Sequence, residues 1–266
     1  MGLQLGGLLN SMQSLSTCRP LILGLLGGIA SGKSLVAEVF RRHGALVLDA
    51  DKGVAALFEE PAIKQSLADL FGATVFDTAG GVNRQRLAAI VFAPDGRALR
   101  KSLEDLLHPR VERALVEALT AALAASPVPD VVLFDVPLLA ENPRLLLLCE
   151  RLIFVAAPEE DRERRCREVR NWKAGERARR EQLQLPLPEK RALARHVIVN
   201  SGSVADIEEA ARELHSGVLA AHRLAEELAR HGPKAHGGLG PEARARDGAR
   251  RDRSGSGTDG GGAPQR

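Results

Sequence analysis

The sequence predicts an α/β protein, with a mostly parallel sheet covered by helices on both faces. Three observations carry that expectation. Five short apolar runs punctuate the chain, segments of helical periodicity fill the gaps between them, and a glycine-rich loop ending in Lys-Ser follows the first run. Strands alternating with helices build βαβ units, whose crossover helices bury the sheet on both sides.

The first run, Leu21-Ile22-Leu23-Gly24-Leu25-Leu26, has the length and composition of a buried strand. The loop after it, Gly27-Gly28-Ile29-Ala30-Ser31-Gly32-Lys33-Ser34, fits the phosphate-binding pattern G-x-x-x-x-G-K-[ST] at each fixed position. Leu35, Val36, Val39 and Phe40 then recur at helical spacing, with Glu38, Arg41 and Arg42 on the other side. This is the strand, loop and helix context the pattern requires. Its glycines let backbone N–H groups turn toward a phosphate, and the helix start adds the positive end of its dipole. Lys33 then reaches the outer phosphates, and the Ser34 hydroxyl sits on Mg²⁺.

The second run, 45–48, ends in Asp49-Ala50-Asp51. In an open parallel sheet ligands sit beyond the carboxyl ends of the strands, so these acids should face the phosphate loop. One of them can accept a proton from an attacking hydroxyl or hold Mg²⁺ through water. The other reading is a helix cap, and the residues alone leave both open. Between Val75-Phe76 and Val82-Asn83, the pair Gly80-Gly81 reads as a hairpin turn. The Asp77-Thr78-Ala79-Gly80 that precedes it is therefore not a GTPase switch, and no N-K-x-D segment occurs to read guanine.

Helical periodicity follows over 97–107 and 110–125, and Pro109 is expected to break one helix and start the next. His108 at that break either points into a cleft or is a satisfied junction histidine. The third run, 131–134, leads into Asp135-Val136-Pro137-Leu138-Leu139-Ala140-Glu141. An apolar strand ending in Asp is the shape of a site that orders Mg²⁺ near a phosphate loop, with a turn carboxylate as the alternative. The fourth and fifth runs are 152–155 and 196–199, with helical segments over 159–169 and 205–219. Between Arg162 and Arg180 the chain carries eight arginines, which suit either a flap closing over a triphosphate or a solvated helix.

Composition narrows the classes. Hydrophobic residues at 44% suffice for a core, but aromatics are only 3% and Tyr is absent, so Leu, Ala and Val must fill it. The formal charge of +3 suggests nucleic acid until it is located. Residues 233–266 hold seven basic and four acidic side chains, a difference equal to the whole net charge. The body is thus close to neutral, which argues against a broad polyanion-binding face. Cys18, Cys149 and Cys166 are odd in number and unpaired in spacing, as free thiols in a reducing cytoplasm would be. No Cys/His cluster suggests a structural metal, and no stretch approaches the length of a membrane span. Residues 1–18 read as an extension with a start at Met1 or Met12, 19–228 as the folded domain, and 229–266 as a disordered basic Gly/Arg-rich tail. The sequence carries no signal of oligomeric state.

Taken in order, these segments resemble the dephospho-coenzyme A kinases from about Pro20 to about Leu219. The resemblance rests on the loop at 27–34, Asp49-Ala50-Asp51, the Gly81-Val82-Asn83-Arg84 turn with Leu87-Ala88-Ala89-Ile90-Val91-Phe92, and Leu107-His108-Pro109. It continues through the block 135–141, Gln184-Leu185-Pro186-Leu187-Pro188-Glu189-Lys190 and Val197-Ile198-Val199-Asn200-Ser201-Gly202. It implies a three-layer P-loop kinase fold, with a helical acceptor-binding insertion at about 62–125 and a lid at about 162–190. It also implies transfer of the γ-phosphate of ATP, with Mg²⁺, to the ribose 3′-hydroxyl of dephospho-CoA. On that footing Asp51 is the base and Lys33 the charge-neutralising group, while Gly28, Ile29, Ala30, Ser31, Gly32, Lys33, Ser34 and Leu35 hold ATP. Arg84, His108, Pro109, Asp135, Leu138 and Glu141 border the acceptor, and Asn200 lies near the adenine of ATP. The chain departs from the family at Leu26 and Leu35, which usually are Thr, and at Ala55 or Ala56, where a basic residue is frequent. In the lid the family's second arginine aligns near Glu168 or Val169, leaving Arg167 or Arg170 to substitute, and Arg195 replaces an Asp. A P-loop kinase for another small acceptor, and a nucleotide-dependent binding protein acting through its basic tail, are the competing readings.

Overall fold

A computed structural model describes residues 19–231, so the expectations for 1–18, Cys18 included, and for 232–266 lie outside the described residues. The chain divides into two units, one up to Leu224 and one from Ala225 on, and the described part of the second is a helix end.

β1 (Leu21–Gly27) is buried along its whole length, as a central strand of a doubly covered sheet must be. It pairs in parallel with β3 (Val131–Asp135) on one side and with β4 (Arg151–Ala156) on the other. β2 (Leu46–Asp49) and β5 (His196–Val199) complete a five-stranded parallel sheet in the order β2-β3-β1-β4-β5. The five strands are those the apolar runs predict, within a residue or two at the ends.

Alternation along β1 divides the core in two. Ile22 and Leu26 join a cluster that includes Leu48, Phe134, Leu107, Leu115 and Leu145. Leu21, Leu23 and Leu25 join Val36 and Phe40 of α1 (Lys33–Arg42) and Ile207, Ala211 and Val218 of the last helix. One face thus carries α1 and the C-terminal helix. The other carries α2 (Ala50–Leu57), α3 (Pro61–Phe71), α4 (Arg84–Val91) and the long α5 (Arg97–Leu123), followed beyond β3 by α6 (Pro143–Leu148). The hairpin before α4 is present as a bridge between Phe76 and Val82, closed by the Asp77 N–H on the Gly81 carbonyl at 2.8 Å. After β4 come α7 (Glu159–Arg170), α8 (Glu176–Glu181) and α9 (Leu187–Leu193), then β5 and α10 (Val204–His231).

Two expectations need correction. Pro109 does not end a helix: it lies inside the continuous α5. The ring removes one N–H from the ladder, but Leu107, Val111, Leu115 and Leu119 stay buried on one face across it, and the Arg110 guanidinium donates to the Leu106 carbonyl at 2.6 Å. Continuous apolar burial outweighs one lost hydrogen bond. The last helix also runs past both the periodic segment 205–219 and the boundary at 228, reaching His231. Residues 220–231 hold no Gly or Pro and are rich in Ala, Leu, Glu and Arg, the better helix formers.

Candidate active site

The loop after β1 turns its backbone toward one side because Ala30 and Gly32 take φ values of 58° and 102°. The Ser31 N–H closes the loop on the Gly28 carbonyl at 3.3 Å, and the Leu35 N–H opens α1 on Gly32 at 3.0 Å. Among the described residues no acceptor engages the N–H groups of Ala30, Gly32, Lys33 and Ser34. The buried Ser31 hydroxyl likewise has no partner among them. Such a set of donors at a helix start fits a polyphosphate. Leu35 contributes packing instead, its side chain lying against the α1 side of the core.

Lys33 folds its Nζ back onto the carbonyls of Gly28 and Gly27, at 2.9 and 3.2 Å. Burial pushes its ammonium down to about 8, while the nearby Asp135 carboxylate works against that fall.

Three acids gather beside it. β2 and β3 end in register, with Asp49 opposite Asp135. Asp49 caps α2 by accepting the Lys52 N–H at 3.1 Å, so the capping role belongs to Asp49. Asp51 falls in the first turn of α2. Although the residue as a whole is exposed, partial withdrawal of its carboxyl from water, followed by the charge of Asp49, raises its pKa. Arg170, Arg84 and Lys33 oppose that rise. Asp135 is pushed up to about 6, chiefly by burial, with Lys33 pulling it down and Asp49 and Asp51 adding to the rise.

Asp51 opens onto a cavity of about 590 Å³, whose walls include His108 and Val111 of α5, Leu138, Glu141 and Asn142. A volume of this order suits a small-molecule ligand. Asn142 caps α6 and also donates to Glu112 at 3.3 Å, fixing the far wall. Pro109, one residue from His108, is exposed and does not line the cavity. Arg84 starts α4, with its guanidinium 5.5 Å from the Phe58 ring centroid.

Across the loop lie α7 and α8. Arg165 donates to the Ala30 carbonyl at 3.2 Å and to Asn200 Oδ1 at 3.1 Å. Asn200, buried after β5, donates to the Ser31 carbonyl at 2.8 Å, so its amide fastens the loop. A Cβ at Gly28 would fall 2.6 Å from Arg162 Nη1 and 2.7 Å from Glu181 Oε1, so a larger residue would have to displace these side-chain ends. Glu181 accepts the Ile29 N–H at 2.7 Å and pairs with both Arg162 and Arg177. Of the two arginines weighed as lid substitutes, Arg170 is the one whose charge acts on Asp51 and Lys33, whereas Arg167 acts on Glu163. Sequence reasoning missed Arg165 and Glu181 as individuals. They stand in a charged run where only contacts distant in sequence distinguish one side chain from the next.

Among the described residues no group of three or more His, Cys, Asp or Glu is arranged to hold a metal on its own, and no helix is long and apolar enough to cross a membrane.

Comparison with known proteins agrees with this geometry. The family model for dephospho-CoA kinase matches residues 21–206. A dephospho-CoA kinase of Bacillus licheniformis is 36% identical over 196 residues, covering 73% of this chain and 94% of that protein. One of Thermus thermophilus is 38% identical over 191 residues, covering 72% and 88%. A crystal structure of a Thermus thermophilus protein superposes with a TM-score of 0.60 at 37% identity, covering 76% of this chain and 97% of that one. The lysine-bearing loop, the paired strand-end acids and a match spanning most of the chain lead to one conclusion: the chain belongs to the dephospho-CoA kinase family.

Proposed function

We propose that Asp51 orients the acceptor hydroxyl and takes its proton, while Lys33 and the arginines of α7 neutralise the charge of the phosphoryl group in transfer. The reaction is that of the family: ATP phosphorylates the ribose 3′-hydroxyl of dephospho-CoA, the final step of coenzyme A synthesis. Little covalent chemistry falls to the protein, and rate comes from positioning and charge neutralisation. The observation that carries the assignment is that Asp51 lines the large cavity and at the same time feels Asp49, Arg170, Arg84 and Lys33. Its raised pKa brings it nearer to that of a base working at neutral pH.

In this reading the open N–H groups of Ala30, Gly32, Lys33 and Ser34 receive the triphosphate, and Gly28, Ile29, Ser31 and Arg165 shape the loop around it. Asn200 holds the loop beside the adenine rather than reading the base. His108, Leu138, Glu141 and Arg84 border dephospho-CoA, within an acceptor-binding insertion at 62–125, and 162–190 form the lid. The oxygen donors Ser34 and Asp135 suit Mg²⁺, a hard cation that keeps water and needs only one or two protein ligands beside phosphate. Ser34 would hold it directly, and when bound it would supply charge neutralisation on the phosphate oxygens. The enzyme works in the cytoplasm.

The test is ADP release from ATP and Mg²⁺ with dephospho-CoA, AMP or adenosine, for the unaltered chain and Asp51→Asn. Turnover with dephospho-CoA alone, reduced by at least about a hundredfold in Asp51→Asn, is expected. Full activity in Asp51→Asn would remove Asp51 from the chemistry.

A further inference from the structure

In the block Gln184-Leu185-Pro186-Leu187-Pro188-Glu189-Lys190, Lys190, whose charge also acts on Lys33, is only 1% exposed, the least exposed charged side chain among the described residues. A buried ammonium is costly unless paired. Its Nζ meets Glu141 Oε1 at 2.9 Å and Gln184 Oε1 at 3.0 Å. The Leu185 N–H donates to that same Glu141 oxygen at 2.8 Å. Oε1 of Glu141 therefore accepts the Leu185 N–H and is ion-paired with Lys190, while its Oε2 takes no donor among the described residues. Glu141 itself is a wall of the large cavity. Apolar replacements of buried ion pairs are often neutral for stability, so this pair is better explained by what it orients.

We propose that Lys190 is a positioning residue for the acceptor. Lys190, Gln184 and the Leu185 N–H fix one oxygen of Glu141, and the other oxygen accepts a hydrogen bond from a hydroxyl or N–H of the substrate. Residues 184–190 are also the stem by which the chain returns from α8, so one contact ties the acceptor wall to the base of the lid. This inference rests on reading the cavity as the acceptor site.

Steady-state kinetics of Glu141→Gln, Lys190→Met, Lys190→Arg and Gln184→Ala, with thermal melts of each, provide the test. Glu141→Gln and Lys190→Met are each expected to raise the dephospho-CoA KM about tenfold, with the ATP KM held within about twofold. The double variant should be no worse than either single one, as for residues acting as a unit. Lys190→Arg should recover part of the loss, and Gln184→Ala, which leaves the charge paired, should raise the acceptor KM about threefold. If Lys190→Met does not fold, Gln184→Ala and Lys190→Arg decide. An acceptor KM raised by Glu141→Gln but not by the Lys190 or Gln184 variants overturns the positioning role and leaves the cavity reading intact. An acceptor KM unmoved by Glu141→Gln overturns both. Equal losses for ATP and acceptor would reduce Lys190 to a structural residue.

Discussion

The Glu181 carboxylate accepts the Ile29 N–H at 2.7 Å, so a side chain of α8 rests on the phosphate loop. A carboxylate and a phosphate oxygen seek the same donor, and Glu181 also holds Arg162, a cation aimed at the loop. If the phosphate also claims the Ile29 N–H, nucleotide binding exchanges one anion for another. Arg177 keeps two further carboxylates, Glu159 and Glu163, so α8 stays anchored without Glu181. Glu181→Ala is expected to bind ADP and ATP about three- to tenfold more tightly by calorimetry. Weaker binding would mean that Glu181 preorganises the loop instead of competing for it.

The Arg180 guanidinium lies 3.9 Å from the Phe92 ring centroid and 4.0 Å from that of Trp172. Phe92 ends α4 while the other two lie in the segment of α7 and α8, so the stack joins that segment to α4. Each face contributes about 0.5–2 kcal/mol depending on desolvation. Trp172 is the single tryptophan, so its emission reports this neighbourhood, in which Arg170 also lies 5.2 Å from the ring centroid. In Phe92→Leu, acrylamide should quench Trp172 more strongly than in the unaltered chain. Identical quenching would show that the stack does not hold this segment against α4.

The acid–base groups give a bell-shaped profile. Asp135 must be ionised, and burial sets its pKa at about 6, while Asp51 is raised as well. Lys33 must be protonated, and burial sets its pKa at about 8. Because kcat/KM reports the free enzyme, it should rise with pH through about 6 and fall above about 8. The acid limb belongs to the coupled carboxylates jointly. Initial rates at low dephospho-CoA over about pH 5 to 10 measure both limbs. An acid limb near the ordinary carboxylate value of about 4 would mean that desolvation is not acting on these groups.

Much of this arrangement was legible in the chain. The five apolar runs and the loop at 27–34 are local signals, and Asp49 and Asp135 stand at the ends of β2 and β3, with Asp51 in the turn that follows. What escaped depends on contacts distant in sequence. Ile29 and Glu181 stand 152 positions apart, and Ser31 and Asn200 stand 169 apart. No periodicity singles out the one glutamate in a charged helix that reaches the loop. Pro109 misled for the opposite reason. A strong local rule predicts a break there, but the burial of Leu107 and Val111 on either side is a tertiary effect that overrides it.

Asp135 also carries a stability cost that its proposed place beside Mg²⁺ would explain. Its folded pKa of about 6 exceeds the ordinary 3.8, so the folded state binds this proton more tightly than the unfolded chain does. Stability contributed by the protonated form is present below about 3.8 and is lost as pH rises through about 6. At neutral pH the ionised carboxylate therefore opposes folding, despite the attraction of Lys33. Asp135→Asn removes that charge and keeps the shape. It should raise Tm at pH 7 by about 2–4 °C, the shift about 1 kcal/mol gives in a domain of this size, while activity is lost. The gain should shrink as pH falls below about 6 and vanish near about 4, where Asp135 is neutral in both states. Calorimetric scans of both proteins across that range measure it. A lower Tm for Asp135→Asn at pH 7 would mean that its pairing with Lys33 outweighs its burial, and would lower the acid limb of the rate profile with it.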